Sequence, residues 1–535
     1  MAAYPPDSKS RYKTAGREFD GQIEPEEVKK LVSDVREAFG KDKTLSKEWR
    51  IGQLKAFDKM LDECTEEFCE AMHKDLHKSH FEGYVTEIAL IKAEIHAAIK
   101  HLDQWMTPVK KPNGGLNAPC WSTTQRDPLG VVLILGAWNY PIQLSLAPMV
   151  GAIAAGNCVI MKPGSYAVES SNVMSRIVNR YLDPECIRVV EGNRKVTGAI
   201  LEEKFDKIFF TGSGYVGRIV LTAAAKHLTP CALELGGKSP VIVDASADIT
   251  HAAERIAWGT FLNGGQTCVR PDFLMVHEKV ADEFIDKFQA TVKKFYGEDP
   301  QKTEYFGRCI NDAAFNRLSD LVKAHQDKIV FGGKTDASEK YISPTMFDFG
   351  SDIEAFSKAE VMQDEIFGPL LPTVRYGKTE DVIQFVRALP TGKPLALYAF
   401  GTDKRFINEV KTRTSSGGLC VNDVLMHLTN HDLPFGGVGS SGMGAYHGKY
   451  SFDCFTHEKA VLQKSPLLDE SIFLKFALGA RFPPYDSTKK LIVKVFGDPR
   501  LDPLINFPIP FLRNLAKLLV VLAVLRIFGI HLVKV

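Results

Sequence analysis

Two side chains in this sequence carry the elements of covalent acyl chemistry. Cys268 ends the run Asn263-Gly264-Gly265-Gln266-Thr267-Cys268, and Glu234 stands in Leu233-Glu234-Leu235-Gly236-Gly237-Lys238. A thiol nucleophile and a carboxylate base are the minimum equipment for forming and then resolving an acyl intermediate. Both lie among glycines, where backbone approaches a ligand closely. Just upstream, Gly212-Ser213-Gly214-Tyr215-Val216-Gly217 follows an apolar run ending at Phe210 and precedes a helical pattern. Glycines at the mouth of a helix suit a pyrophosphate. A tight helix-packing turn is the alternative for the same hexapeptide. The phosphate reading, extended in the simplest way, assigns Glu234 to an adenosine ribose, because an acidic residue is expected about 20 residues on. That assignment competes with Glu234 as a base.

The elements that must position these residues are legible from periodicity. From about 25 to 106 the pattern is helical, with Leu31, Val35 and Ala38, then Leu54, Phe57 and Leu61, at helical spacing. Residues 107–129 break it with Pro108, Pro112, Gly114, Gly115, Pro119 and Pro128, which predicts an extended excursion or hairpin. From 130 onward, short apolar runs at 130–135, 158–161, 187–190 and 207–210 alternate with helical stretches. This alternation predicts a parallel sheet covered on both faces. After 240, Val241-Ile242-Val243-Asp244 and a helix near 248–261 begin a second α/β unit. Glu234 and Cys268 then fall near the junction, where ligand sites tend to form.

With 535 residues, 45% hydrophobic and 24% charged, the chain has room for two or three domains with substantial cores. A formal net charge of +1 argues against general nucleic-acid binding. The ten cysteines show no CxxC pair and no zinc-ligand spacing, so no metal site is expected. The beginning lacks an apolar signal segment, and residues 1–24 read as a flexible polar start in a protein whose thiols stay reduced. The other end differs. Leu515 to Val533 is strongly apolar and as a helix would measure roughly 28 Å, close to the thickness of a bilayer's hydrocarbon. Lys517, Arg526 and His531 interrupt it, and a central arginine costs about 2.5–3.5 kcal/mol on insertion scales. The expectation is a membrane-associated tail over 515–535, after an extension over 466–514. The alternative is a helix packed against the protein or a partner.

Further runs, in order, carry a resemblance. They are Gly136-Ala137-Trp138-Asn139-Tyr140-Pro141, Met161-Lys162-Pro163, Phe210-Thr211-Gly212-Ser213, Glu365-Ile366-Phe367-Gly368-Pro369, Ser416-Gly417-Gly418 with Asn422-Asp423, and Pro434-Phe435-Gly436-Gly437. With the Glu234 and Cys268 segments, the chain resembles the aldehyde dehydrogenase superfamily from about 25 to 485. The stretch Gly439-Ser440-Ser441-Gly442-Met443-Gly444-Ala445-Tyr446-His447-Gly448-Lys449 is similar to its class 3 branch. An apolar C-terminal tail is similar to the membrane-bound fatty aldehyde dehydrogenases.

The resemblance implies an α/β fold in three parts. These are a Rossmann-like cofactor domain (25–106 and 130–233), a second α/β catalytic domain (234–444), and a small β-hairpin oligomerisation element (107–129 with 445–465). It implies that Cys268 attacks an aldehyde, that Asn139 and the Cys268 N–H hold the oxyanion, and that Glu234 activates the water that frees a carboxylic acid. For the cofactor, NAD with NADP alongside it, the resemblance places Lys162 at the adenosine ribose. Gly212, Ser213 and Gly217 fall at the pyrophosphate, and Glu365 with Phe367 at the nicotinamide ribose. The family commonly reads Lys-Pro-Ser-Glu where this chain has Lys162-Pro163-Gly164-Ser165. Ser165 removes a carboxylate that would repel a 2′-phosphate, hence the expectation that NADP is accepted; the alternative is that NAD still dominates. The expected activity is oxidation of medium- or long-chain aliphatic aldehydes by a homodimer, at a membrane most simply that of the endoplasmic reticulum, with the catalytic part in the cytosol. The alternatives are the same chemistry on small or aromatic aldehydes and, remotely, a non-catalytic membrane scaffold.

Overall fold

A computed structural model describes residues 23–113, 120–464, 479–496 and 498. The expectations for residues 1–22 and for the 515–535 tail lie outside them, as does most of the 466–514 extension. Among the described residues, no helix is long and apolar enough to cross a membrane. They fall into two compact units, one drawn from the described residues up to Leu102 and from Pro128–Thr456, the other from the described residues between Asp103 and Asp127 and from His457 onward.

In the larger unit the opening helices are Pro25–Phe39 and Lys47–Leu76. The first begins with proline, whose missing N–H costs nothing there, and with a Glu24/Glu27 capping box. Its buried stripe is Val28, Val32, Val35 and Ala38, with Leu31 beside it. The second is capped by Ser46, which accepts from the Trp49 N–H at 3.0 Å. Helical chain continues from His80, widening into one π turn at Tyr84–Ile88 before Ala89–Met106.

Two sheets follow. In the first, the spatial order is Gly442–Met443, Cys231–Leu235, Lys207–Gly212, Val131–Leu135, Cys158–Lys162 and Ile187–Val189. All neighbours are parallel except the Gly442–Met443 edge. The strand order reverses at Val131–Leu135, so its carboxyl end and that of Lys207–Gly212 form a topological switch point, where doubly wound sheets bind ligands. Asn139 follows one of these strands and Ser213 the other.

The second sheet has the order Ile329–Phe331, Thr345–Asp348, Leu370–Tyr376, Phe273–His277, Pro240–Val243, Ala396–Phe400 and Gly418–Val421. It is parallel apart from its first edge. Its alternation is plain. Val241, Val243, Leu274, Val276, Ala396 and Tyr398 pack on one face with the helices Ile249–Phe261 and Ala281–Tyr296. Ile242, Phe273, Met275, Leu397 and Ala399 pack on the other with Asp312–Ala324. This is why the strands read as continuous apolar runs rather than alternating ones.

The expected α/β architecture is thus present, with two differences in detail. Glu234 lies on a strand of the first sheet, so the change of sheet falls between Leu235 and Pro240, not at 233. And 445–465 is not one element: Gly448–Cys454 is a helix of the larger unit, and only Thr456–Gln463 is a strand. That strand joins Val109–Lys111 and Trp121–Pro128 in a three-stranded sheet, with Trp121–Pro128 central. Val109 pairs with Thr124 and Lys111 with Ser122, so the proline-punctuated excursion is an antiparallel hairpin.

Candidate active site

Cys268 sits after a turn that few sequences could make. Asn263, Gly264 and Gly265 all have positive φ, at 56°, 60° and 73°. A side chain on Gly265 would put its Cβ 2.4 Å from the Gly368 carbonyl, so the turn packs backbone against backbone on the loop that carries Glu365 and Phe367. Buried amides hold it. Gln266 Nε2 donates to the carbonyls of Asn263 (3.1 Å) and Arg308 (2.9 Å), and its Oε1 accepts from the Ile310 N–H (3.0 Å). Glu82 Oε1 accepts from the Asn263 N–H at 2.8 Å, and the Thr267 hydroxyl meets Tyr140 OH at 2.7 Å. Asn139 Nδ2 donates to the Gln266 carbonyl at 3.0 Å, which brings the amide to the nucleophile's own loop.

Glu234 is 2% exposed, and neither carboxylate oxygen has a hydrogen-bond partner. Burial therefore raises its pKa well above the ordinary carboxylate range. Burial likewise raises the Cys268 thiol, and the charges of Glu365 and Glu234 add to the effect, while the Cys268 and Val269 N–H groups oppose it. A buried carboxylate with no partner is costly to keep. Once ionised, it is equipped to take a proton from water.

Glu365 is half-buried, with Oε1 unpartnered, and burial followed by the Asp272 charge pushes its pKa up to about 8. A side chain on Gly236 would strike Glu365 Oε2. Phe367 has φ 51°, unusual for a bulky residue, and its ring packs edge-on to Trp138 at 5.3 Å. A buried cluster holds this strained loop. Lys238 and Arg270 (3.1 Å) pair with Asp272, whose Oδ1 also accepts from the Ile366 N–H at 3.0 Å. Lys238 donates further to the Val361 and Asp364 carbonyls, and Arg270 to that of Leu370.

The residues expected at a nicotinamide dinucleotide fit one. Ser213 caps the helix Gly214–Ala225, accepting from the Val216 N–H at 3.4 Å, and a Cβ on the first-turn position Gly214 would meet only Arg218 Nη1, at 3.8 Å. That is the environment a pyrophosphate needs. A Cβ on Gly217 would strike Leu235, so this glycine serves helix–strand packing, and one on Gly212 would strike the Phe210 ring of its own strand. Lys162 is 4% exposed; its Nζ donates to Ser165 Oγ at 2.5 Å and to the Pro163 carbonyl at 2.8 Å. Burial brings its pKa down to about 7, and the nearby Glu191 charge opposes the fall. The unpartnered Glu365 oxygen suits a ribose hydroxyl.

Sequence reasoning missed Glu191, Tyr140 with Thr267, and the Lys238–Arg270–Asp272 cluster. Lys238 ends the Glu234 run and Asp272 stands four residues after Cys268, which was the one available signal.

The sheets, the switch point and the thiol–carboxylate pair define an enzyme of covalent aldehyde chemistry. The chain belongs to the aldehyde dehydrogenase family, whose model matches residues 21–461. It is an NAD(P)-dependent aldehyde dehydrogenase. It is 43% identical over 469 residues to aldehyde dehydrogenase family 3 member B1 of Mus musculus, covering 88% of this chain and 97% of that protein. It is 41% identical over 459 residues to the dimeric NADP-preferring aldehyde dehydrogenase of Canis lupus familiaris, covering 85% and 98%. The solved substrate-bound state of Staphylococcus aureus AldH superposes with a TM-score of 0.83 at 40% identity, over 88% of this chain and 99% of that one.

Proposed function

We propose that this enzyme oxidises medium- and long-chain aliphatic aldehydes to free carboxylic acids. Cys268, as thiolate, attacks the aldehyde carbon. Asn139 Nδ2 and the Cys268 N–H donate to the oxygen that gains negative charge. A nicotinamide cofactor, when bound, supplies the acceptor for the hydride that leaves the substrate carbon. The acyl group then remains on Cys268 as a thioester. Glu234 takes a proton from water, the water oxygen bonds to the acyl carbon, and the carbon–sulfur bond breaks to release the acid and restore the Cys268 thiolate, with the proton left on Glu234. Lys162 and the helix end at Ser213 would hold the dinucleotide, and Glu365 would accept from its nicotinamide ribose. The observation that carries this reading is the buried Glu234 carboxylate, neither of whose oxygens has a hydrogen-bond partner and whose charge acts on the Cys268 thiol.

The preference for long chains rests on the apolar 515–533 segment, since long aldehydes partition into bilayers. We take that segment to hold the enzyme at a membrane, most simply that of the endoplasmic reticulum, with the catalytic part in the cytosol. The three-stranded sheet supports a homodimer: among the described residues its outer strands, Val109–Lys111 and Thr456–Gln463, each pair on one side only, and Val109, Trp121 and Leu462 are exposed on it. A rate series of purified enzyme on aldehydes of increasing length, with no coenzyme A, tests the substrate reading. Turnover efficiency is expected to climb toward long chains; best rates on short or aromatic aldehydes would contradict it.

NADP is accepted alongside NAD because Ser165, bonded to Lys162 Nζ at 2.5 Å, puts no carboxylate there to repel a 2′-phosphate. Glu191 tempers this, so the reading is acceptance rather than strong preference. Ser165→Glu is expected to weaken NADP binding about tenfold or more, with NAD binding little changed, as one added like charge near a phosphate implies. Titration of both cofactors checks it. An unchanged ratio of the two dissociation constants would remove Ser165 from the explanation.

A further inference from the structure

The turn that carries Asn139 is gripped by residues the chemistry above does not use. Lys78 and Glu87 form an ion pair, Nζ to Oε1 2.5 Å, with both side chains fully buried. Lys78 Nζ also donates to the Asn139 carbonyl at 3.4 Å and lies 4.1 Å from the centre of the Tyr140 ring. The other Glu87 oxygen accepts from the N–H groups of Ile142 (2.8 Å) and Gln143 (3.0 Å). These amides open the helix Gln143–Ala154, and Ile142 at its N-cap makes no side-chain cap. Glu87 therefore does the work a local Ser or Asp usually does. The pair holds the turn at both ends, and Asn263 Nδ2 is a second donor to the Asn139 carbonyl, at 2.7 Å.

With the backbone so fixed, the direction of the Asn139 amide is set. One Nδ2 hydrogen goes to the Gln266 carbonyl at 3.0 Å, and a primary amide has a second to give. Stability alone is a weak reason for such a pair, because an apolar pair of the same shape avoids the desolvation cost. We propose that the buried Lys78–Glu87 pair is a positioning element for the oxyanion donor: it fixes the Asn139–Gln143 turn so that the second Nδ2 hydrogen meets the oxygen that gains charge. This rests on the reading of Asn139 as that donor.

The test uses full-length protein carrying Lys78→Met with Glu87→Gln, which fills the volume without charge. Two reactions of Cys268 are compared, neither needing a nicotinamide cofactor. p-Nitrophenyl acetate acylates the thiol through a tetrahedral oxyanion; iodoacetamide alkylates it by direct displacement, with no oxyanion. Acylation is expected to slow about 10- to 100-fold, within the range for a disturbed oxyanion donor, while alkylation stays within about twofold. In an Asn139→Ala background the same two substitutions are expected to change acylation less than about threefold, since a shared path is not lost twice. Equal slowing of both reactions, or the same loss with and without Asn139, overturns the proposal. If Asn139→Ala alone leaves acylation unchanged, the donor role of Asn139 fails and the proposal falls with it. Should the neutral pair fail to fold, Glu87→Asp, which keeps the charge but draws the carboxylate back by one methylene, is read by the same comparison.

Discussion

Cys268→Ala is expected to lower aldehyde oxidation by about 10,000-fold or more, the scale on which enzymes lose rate when a covalent nucleophile is removed. Nine other cysteines remain in the sequence, but none has the Asn139 amide and a buried carboxylate beside its loop. Cofactor affinity and melting temperature should stay near those of the parent, because Cys268 is only partly buried and loses a single sulfur. The parent's dependence on pH follows from the same site. Burial and the Glu365 and Glu234 charges raise the thiol's pKa, and the thiolate is the reactive form. Alkylation of the parent should therefore accelerate as pH rises, with no plateau near neutrality. Residual turnover above about 1% in the alanine variant would mean that another group carries the acyl chain.

Glu234→Gln is expected to separate the two halves of the reaction. The first turnover should proceed as a burst of reduced cofactor of about one per site, and steady turnover should fall about 100- to 10,000-fold, the range general base catalysis supplies. Steady-state rates in the parent should rise with pH as the buried carboxylate loses its proton. The same substitution bears on stability, with a sign fixed by burial. Folded Glu234 has a pKa well above the ordinary value of about 4.3. Between those two values the folded state binds more protons than the unfolded one, so stability falls as pH rises through that window and stays lower above it. Glutamine removes that cost. The variant should melt above the parent at about pH 8 and close to it at about pH 4. Loss of the burst together with steady turnover would place Glu234 in the first half-reaction instead.

Much of this site was legible because its chemistry lies in compact runs. The Glu234 and Cys268 segments, the glycine hexapeptide and the Glu365 loop are each local, and the strands announced themselves as short apolar runs because helices cover both faces of each sheet. The hairpin at 107–129 was legible from its prolines. What sequence order conceals is pairing at a distance. Lys78 and Glu87 are nine residues apart, a spacing that no straight helix brings together, and they meet across a chain that includes the π turn Tyr84–Ile88. Their effect on Asn139, some 50 to 60 residues away, appears only once the chain is folded. Nor does periodicity say that Gly442 lies beside Glu234 on a shared sheet. The border between the two α/β parts was placed a few residues early for that reason: Glu234 reads as chemistry, while its strand belongs to the first sheet.

One measurement bears most directly on the central claim, that Cys268 carries the acyl group and Glu234 directs the water that removes it. Glu234→Gln protein is mixed with NAD and an aliphatic aldehyde, quenched in acid, and digested for mass spectrometry. The account predicts that the peptide containing Cys268 gains the mass of the acyl group, about one per subunit, and that the adduct is lost in Cys268→Ala. An acyl group found on another residue, or no adduct while reduced cofactor accumulates, would contradict it.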